Sequence, residues 1–260
     1  MNILITGGHS GIGLELTKKI LEKGHQVGLI VRSEARKSDA EKQFPGQYPD
    51  IFIGDLSDRG QIKSVADKII KKWSSIDGIF NNAGVLLDKL YFSDYGNEMQ
   101  LEVNAISPYL LTKELKPLLD KAEKPFVVNT ATAGLNQEKS IDIPTLKRPQ
   151  KFTKLFGSYL TSKLMLVLLM NHLSTQWQNV RFVHVDPGAI KTKMTAGEGM
   201  PLWLKPIRNL FFRTPEEGAK HLYNAGFGDY FDLSGLYISK GKIQKIQVEV
   251  DDTHIEELLV

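Results

Sequence analysis

The sequence predicts an α/β protein built on one doubly wound parallel sheet of about seven strands, with helices on both faces. Three observations favour this fold. Short apolar runs typical of strands alternate along the chain with longer segments of helical periodicity. The first such run passes through a glycine-rich turn directly into a helix. The chain has 260 residues and no repeat, linker or low-complexity tract, so we expect a single domain over residues 1–260.

The predicted strands are short runs rich in β-branched and other apolar residues, as expected for strands buried on both faces. They cover residues 3–5, 26–31, 51–54, 76–80, 126–129, 180–185 and 236–239. Long helices, recognised by apolar residues three and four apart, are predicted over residues 57–73, 97–119 and 157–177. Pro108 is expected to bend the second of these, because proline cannot donate a helical hydrogen bond.

The composition excludes several kinds of protein. The formal net charge of +3 is too small to argue for binding to nucleic acid or to a membrane surface. The absence of cysteine rules out disulfides, thiol catalysis and cysteine-ligated metal sites, and the six histidines have no metal-ligand spacing. The sequence shows no signal peptide, and its longest apolar run, residues 164–170, is too short to cross a bilayer. We therefore expect a cytoplasmic protein without a bound metal.

The turn after the first strand has the features of a phosphate-binding loop. It reads T-G-x-x-x-G-I-G over residues 6–13, and glycines there let the backbone approach an anion closely. The start of the following helix adds unpaired N–H groups and the positive end of the helix dipole. A purely structural turn remains the alternative. The cofactor contacts predicted in this loop are Gly7, His9, Ser10, Gly11, Ile12 and Gly13.

The residues after the second and third strands predict the form of the cofactor. Arg32 can form two hydrogen bonds to the extra phosphate of NADP, and Ser33 can add another; a solvated arginine is the alternative. Asp55 and Leu56 follow the third strand, where the carboxylate can accept from the adenine amino group or assist the next helix start. The position directly after the second strand holds Arg32 instead of the acidic residue that would bind the ribose diol of NAD, so NADP suits the site better.

Tyr159 and Lys163 are the candidates for proton transfer. They are four residues apart, which places them on the same face of a predicted helix. A free phenol has a pKa of about 10, and a neighbouring ammonium together with the charge of an oxidised nicotinamide would lower that pKa. The phenol can then donate a proton to a carbonyl oxygen as hydride reaches the carbon, and the lysine can hold the nicotinamide ribose.

In this order, the glycine loop, the N-N-A-G sequence at residues 81–84 and the Y-x-x-x-K pair resemble the short-chain dehydrogenase/reductase family, whose fold is of the Rossmann type. The long segment over residues 132–159 and the T-P-E-E-G-A sequence at residues 214–219 are similar to its retinol-dehydrogenase-like and carbonyl-reductase-like branches. The resemblance implies that Asn104 bends its helix and holds a water linked to the lysine. It also implies cofactor contacts at Asn82, Ala83, Gly84, Tyr159, Lys163, Pro187, Gly188 and Thr192.

One position departs from the family pattern. The serine with which the family binds the substrate carbonyl is replaced by Thr132, if Asn129 sets the register. Threonine keeps the hydroxyl, but its methyl group restricts the rotamers and narrows the pocket. The catalytic residues implied by the resemblance are Tyr159, Lys163, Thr132 and Asn104. They predict an NADP(H)-dependent oxidoreductase of a carbonyl/alcohol pair; the alternative is a catalytically weak dinucleotide-binding regulatory protein.

Residues 189–213 correspond to the substrate lid of the resembled family. Their apolar content favours a lipophilic carbonyl or alcohol as substrate, and packing onto the core is the alternative. The basic residues of residues 147–154 are interpreted as a solvated loop, with a rim that attracts an anionic substrate as the alternative. Lys205, Arg208 and Arg213 of the lid segment favour membrane contact only weakly, so membrane contact is not expected. A homodimer or homotetramer is implied by analogy with the family alone.

Overall fold

The computed structural model describes residues 1–228 and 233–260. Its strands are β1 (Asn2–Thr6), β2 (Gln26–Val31), β3 (Asp50–Ile53), β4 (Gly78–Asn81), β5 (Phe126–Thr130), β6 (Arg181–Val185), β7 (Leu236–Ser239) and β8 (Lys242–Gln244). They form one sheet in the order β3-β2-β1-β4-β5-β6-β7-β8. The strands from β1 to β7 pair in parallel, and β8 pairs antiparallel with β7.

The predicted α/β fold with a parallel sheet is confirmed, but the expected number of about seven strands is one short. The additional strand, β8, has three residues with the sequence K-I-Q and lies at the edge of the sheet. A single apolar residue between two polar ones is too short a pattern to distinguish a strand from a turn. Its pairing is decided by the turn that returns the chain from β7.

Helices cover both faces of the sheet. Alternate strand residues point to opposite faces, and β1 shows this, because Ile3 and Ile5 belong to one hydrophobic cluster and Leu4 to the other. The helices are α1 (Gly11–Glu22), α2 (Glu34–Glu41), α3 (Arg59–Lys72), α4 (Met99–Leu101), α5 (Ser107–Glu114), α6 (Lys116–Leu119), α7 (Ile143–Lys147), α8 (Leu160–Gln176), α9 (Lys193–Ala196), α10 (Leu204–Phe211), α11 (Pro215–Phe227) and α12 (Asp252–Leu259). In the described part of the chain, none of them has the length and apolar character needed to cross a bilayer.

The direction in which the chain adds strands reverses at β1. The strands β2 and β3 lie on one side of it, and β4, β5 and β6 lie on the other. In open α/β sheets such a reversal leaves a crevice outside the carboxyl ends of the strands, here between β1 and β4. The residues predicted to form the site follow the strands from β1 to β6, so the topology brings them to this edge.

The long helix predicted over residues 97–119 is interrupted, although not at Pro108. The helix α4 continues through a π-helical segment, Glu102–Ile106, into α5, and Leu115 separates α5 from α6. Pro108 lies in the first turn of α5, where a proline is tolerated. The π-helical segment therefore lies before the proline, and the break at Leu115 lies after it. Such π-helical turns are often found at functional sites.

A buried ion pair joins three separate parts of the fold. The fully buried Glu102 carboxylate accepts hydrogen bonds from the Arg59 guanidinium at 2.7 and 3.2 Å and from the Asn97 amide at 2.7 Å. Arg59 begins α3 and also donates to the backbone carbonyl of Leu259 in α12 at 2.7 Å. The pair thus holds the π-helical segment against α3 and the C-terminal helix.

We expect Arg59→Met to lower the free energy of unfolding by about 3–5 kcal/mol, because it leaves the buried Glu102 carboxylate without its cationic partner. The control is Lys18→Met, which breaks the partly exposed Lys18–Glu15 pair at 3.0 Å and should cost less than about 1 kcal/mol. Urea unfolding followed by circular dichroism measures both losses. Equal losses would contradict a structural role for the buried pair.

Candidate active site

A cavity of about 890 Å³ opens at the edge where the carboxyl ends of β1 to β6 meet. Most of the residues predicted from the sequence line it. They are Gly7, His9, Ser10, Gly11, Ile12, Arg32, Asp55, Leu56, Asn82, Ala83, Gly84, Thr132, Tyr159, Lys163, Pro187, Gly188 and Thr192. Three predicted residues do not line the cavity: Gly13, Ser33 and Asn104. Each of them contacts other parts of the protein instead.

The glycine loop forms a cradle at one end of the cavity. Gly7 and Gly11 have φ of +67° and +54°, a left-handed conformation that favours glycine. A Cβ on Gly13 would lie 2.3 Å from the Gly7 carbonyl oxygen, so Gly13 lets α1 pack against the loop and does not face the cavity. Ser10, the N-cap residue of α1, makes no side-chain capping bond, and the first turn contains no acid. The N–H groups that a helix start leaves without intrahelical partners therefore suit a phosphate here.

Thr6 fixes the N-N-A-G loop beneath this cradle, a role that the sequence did not reveal. Its hydroxyl accepts hydrogen bonds from the backbone N–H groups of Asn82 and Ala83, each at 3.0 Å. The Asn82 amide donates to the Thr6 carbonyl at 3.2 Å. A Cβ on Gly7 would lie 3.1 Å from the Ala83 Cα, so the two loops pack backbone against backbone.

Basic side chains gather beyond the glycine loop. Arg32 lines the cavity as predicted, and so do Arg36 and Lys193, which sequence reasoning missed. Burial and then the positive charge of Arg36 hold the pKa of His9 below its ordinary value, with smaller contributions from Arg32 and Lys193 and an opposing one from Asp39. The Nδ1 atom of His9 is buried and has no hydrogen-bond partner among the described residues. This end of the cavity thus offers cationic and hydrogen-bonding groups suited to an anion.

Ser33 has a structural role at the start of α2. Its hydroxyl accepts from the backbone N–H of Arg36 at 3.3 Å and caps α2, as a serine before a helix readily does. The contact predicted between Ser33 and a phosphate stays a prediction, since the capping hydroxyl keeps its own donor. The capped first turn carries Arg36, so a basic residue three positions after a serine N-cap was the signal that could have identified Arg36.

Asp55 lines the cavity and is partly engaged by its own loop. Its Oδ1 atom accepts from the N–H and the hydroxyl of Ser57 at 2.9 and 2.8 Å. The capping of α3, which was the alternative role for Asp55, is performed by Asp58, whose carboxylate accepts from Gly60 and Gln61. The predicted contact of Asp55 with adenine stays a prediction.

Within the described residues, no cluster of histidine and acidic side chains could hold a metal ion.

Tyr159 and Lys163 meet the cavity from the start of α8. The preceding π-helical segment, Lys154–Tyr159, is broken at Gly157, whose φ and ψ of −126° and −113° are not helical. Tyr159 ends this segment and lines the cavity one turn before Lys163. The lysine is 2% exposed, and its ammonium donates to the Thr130 carbonyl at 2.8 Å.

Burial shifts the pKa values of both members of this pair. The protein packed around the phenol raises the pKa of Tyr159 to about 12, and the nearby Asp186 carboxylate adds to the rise, although the side chain keeps some access to water. Burial lowers the pKa of Lys163 to about 8. The lowering of the phenol pKa by the ammonium together with an oxidised nicotinamide stays a prediction.

Asn104 acts inside the protein, behind the cavity wall. It lies in the π-helical segment, where its amide accepts from the Val85 N–H at 2.7 Å and donates to the Val85 carbonyl and the Ser162 hydroxyl, each at 3.0 Å. A Cβ on Gly84 would lie 3.0 Å from the Asn104 Oδ1 and 3.3 Å from the Lys163 Nζ. Asn104 therefore fixes the loop after β4 against α8, and its predicted link to Lys163 through a water stays a prediction.

Thr132 and the turn after β6 also line the cavity. Thr132 lines the cavity while its backbone carbonyl accepts from the hydroxyl of Tyr237 in β7 at 2.7 Å, a support that the sequence did not reveal. Asp186 accepts from the Gly188 N–H at 2.9 Å and from the Ser239 hydroxyl at 2.7 Å. The Thr192 hydroxyl caps α9. If Thr192 also contacts a carboxamide as predicted, the same hydroxyl makes both contacts.

Comparison with known proteins identifies relatives across most of the chain. The sequence profile of the short chain dehydrogenase family matches residues 1–141. Retinol dehydrogenase 14 from Mus musculus is 28% identical over 99% of this chain and 83% of that protein. The short-chain dehydrogenase chry4 from Gibberella zeae is 28% identical over 92% of this chain and 86% of that protein.

Two solved structures share the fold. Salutaridine reductase from Papaver somniferum superposes with a TM-score of 0.70 at 22% identity, covering 91% of this chain and 98% of that chain. The RhlG/NADP active-site complex from Pseudomonas aeruginosa superposes with a TM-score of 0.73 at 21% identity, covering 91% and 93%. At these identities the likeness concerns the fold alone.

We expect the Tyr159 phenol to stay protonated through the ordinary phenol range of about pH 10, because its pKa is raised to about 12. Ultraviolet difference spectra between the wild-type protein and Tyr159→Phe isolate its phenolate signal from those of the other tyrosines. Lys163→Met should leave this titration almost unchanged, and circular dichroism confirms that the protein is folded at each pH. A phenolate that forms at or below the ordinary pKa and disappears in Lys163→Met would contradict this assignment.

Proposed function

We propose that this chain, which belongs to the short-chain dehydrogenase/reductase family, uses NADP(H) to interconvert a lipophilic carbonyl compound and its alcohol. Membership makes it an oxidoreductase acting on CH–OH and C=O groups; we infer the cofactor and the substrate class from the cavity. The supporting observation is that one cavity contains the glycine cradle and basic groups at one end and Tyr159 with Thr132 at the other.

Each residue of the catalytic end has a distinct part in the reaction. A bound nicotinamide supplies or accepts the hydride. Tyr159, with its pKa raised to about 12, holds its proton at neutral pH and can give it to a carbonyl oxygen in reduction or take it back in oxidation. Thr132 donates a hydrogen bond that orients this oxygen. Lys163 places a positive charge behind the phenol and toward the cofactor ribose, and Asn104 positions the loop beneath them.

The preference for NADP is supported by the charges around the glycine loop. Arg32, Arg36 and Lys193 line the same part of the cavity, and the free Nδ1 of His9 adds a hydrogen-bonding atom. Asp39, which also lines the cavity, forms an ion pair with Arg36 at 3.6 Å, so Arg32 and Lys193 leave this group of side chains net positive. The likeness to the NADP complex of the Pseudomonas aeruginosa protein agrees with this preference.

The lipophilic character of the substrate is supported by the wall that adjoins Tyr159. Apolar side chains there belong to the loop after β4, to α4 with its π-helical continuation, and to α9: they are Val85, Leu87, Met99, Val103 and Met194. The names of the relatives, among them retinol dehydrogenases, agree with a substrate of this kind. Residues 189–213, which contribute Met194 to the cavity, serve as the lid over its mouth.

We expect Tyr159→Phe to reduce NADPH-dependent carbonyl reduction by about 10²–10⁴-fold while changing NADPH affinity by less than about threefold, because it removes the proton donor and little else. Thr132→Ala should lower turnover strongly with cofactor affinity nearly kept, and Thr132→Ser should preserve turnover. A panel of lipophilic aldehydes and ketones, followed by NADPH absorbance, measures these rates. NADPH binding without oxidation across the whole panel would contradict the proposal and favour the regulatory alternative.

We expect Arg32→Ala and Arg36→Ala each to lower kcat/KM for NADPH by about 10- to 100-fold, the usual loss for a charge-assisted hydrogen bond to phosphate, with little change for NADH. Lys37→Ala is the matched control, since it removes the same charge from α2 at a residue outside the cavity lining. An unchanged ratio of NADPH to NADH efficiency in both arginine variants would exclude them from the cofactor site.

A further inference from the structure

The helix α10 is amphipathic, and its apolar side faces outward. Trp203, Leu210 and Phe211 are 61%, 78% and 74% exposed. At helical spacing Ile207 joins them on the same face and is also exposed. Soluble proteins normally turn such a stripe toward the core, so this arrangement calls for a partner outside the described chain.

Polar contacts on the other side of α10 fix this orientation. The Arg208 guanidinium donates to the Thr195 hydroxyl at 3.1 Å and to the Thr192 carbonyl at 3.2 Å, which ties the helix to α9. Lys205, on the same side as Arg208, is only partly exposed. Rotating α10 to bury its apolar stripe would therefore break its contacts with α9.

A second segment enlarges the apolar surface. The ring of Phe156 stacks on that of Trp203, with centroids 6.3 Å apart and an interplanar angle of 11°, and it is 60% exposed. The Lys154 ammonium donates to the Glu198 carbonyl at 2.8 Å and holds this segment beside the lid. We call the combined surface the outer apolar patch; it consists of Phe156, Leu202, Trp203, Ile207, Leu210 and Phe211.

The chain segments that build the outer apolar patch are rich in basic residues; of these, Lys193 lines the cavity and the others lie outside its lining. The two segments that build it, residues 147–156 and 189–213, contain nine lysines and arginines and one acidic residue, Glu198. The whole chain has a net charge of only +3, so the rest of the protein is net negative. The basic residues are Lys147, Arg148, Lys151, Lys154, Lys191, Lys193, Lys205, Arg208 and Arg213.

We propose that the outer apolar patch docks on the surface of an anionic lipid bilayer. Exposed Trp, Leu and Phe side chains flanked by Lys and Arg are the combination that places a helix in the interfacial plane, with apolar groups among the acyl chains and cations at the headgroups. A second copy fits this surface poorly, because a symmetric contact would bring two strongly positive patches together. The small net charge of the whole chain did not indicate this surface, because the acidic residues that balance its positive charge lie in other segments.

This docking rests on the proposed function in one respect, the route of the substrate. Thr192, Met194 and Thr195 line the cavity and belong to the segment that carries α10. A lid seated on a bilayer would open the cavity toward the acyl region, where lipophilic carbonyl compounds and alcohols partition. The substrate would then enter from the membrane.

Co-sedimentation with vesicles tests the docking without cofactor or substrate, so its outcome is independent of the proposed reaction. Vesicles of phosphatidylcholine alone are compared with vesicles containing phosphatidylcholine and phosphatidylserine in roughly equal parts. We expect the wild-type protein to bind the anionic vesicles at least about tenfold more strongly, and raised salt to weaken this binding. The double variant Leu210→Glu/Phe211→Glu should lose about tenfold or more.

Tyr48→Glu is the control, because Tyr48 is an aromatic residue that is 90% exposed and lies outside both segments; it should bind like the wild-type protein. Circular dichroism establishes that each variant is folded. Absence of binding to anionic vesicles, or equal binding by the double variant, would overturn the proposal. Light scattering gives a further outcome that would overturn the proposal. If the wild-type protein is a dimer that does not bind vesicles, and the double variant is a monomer, the patch joins two copies of the chain.

Discussion

The buried ammonium of Lys163 is the constraint around which the site is arranged. A charge with 2% exposure requires a polar partner, and the Thr130 carbonyl at the end of β5 provides it. The Lys163 ammonium also crowds Gly84, where a Cβ would lie 3.3 Å from its Nζ atom and 3.0 Å from the Asn104 Oδ1. Burial also lowers the lysine pKa to about 8. The Lys163 ammonium therefore connects the end of β5, the loop after β4 and the helix α8. Burying this charge is costly, but it places a cation near the Tyr159 phenol.

The supporting contacts converge on the elements that carry this charge. Asn104 ties the loop after β4 to α8, and it lies in a π-helical turn whose first residue, Glu102, is anchored by Arg59. Arg59 in turn binds the last helix of the chain at the Leu259 carbonyl. Thr6 fixes the same loop from the other side. The cavity wall is thus positioned by contacts with distant parts of the sequence.

Electrostatics divides the cavity into two ends with different tasks. At the glycine loop, Arg32, Arg36 and Lys193 are arranged around His9, which suits an anionic group. At the other end, burial and the Asp186 carboxylate keep the Tyr159 phenol protonated. Residues 189–213 line part of the cavity and carry most of the outer apolar patch. A chain with little net charge can therefore concentrate basic side chains at the glycine loop and in the segments of the outer apolar patch, because most of its acidic residues lie in other segments.

The sequence by itself determined the features that depend on local geometry. Strand periodicity, the glycine spacing of the first turn and the four-residue separation of Tyr159 and Lys163 are each readable within a few residues, and they predicted the fold class and most of the cavity lining. The tertiary structure alone decided that burial raises the Tyr159 pKa, that β8 pairs at the sheet edge and that α10 turns its apolar side outward. Each of these depends on which distant groups surround a residue, and neither periodicity nor composition contains that information.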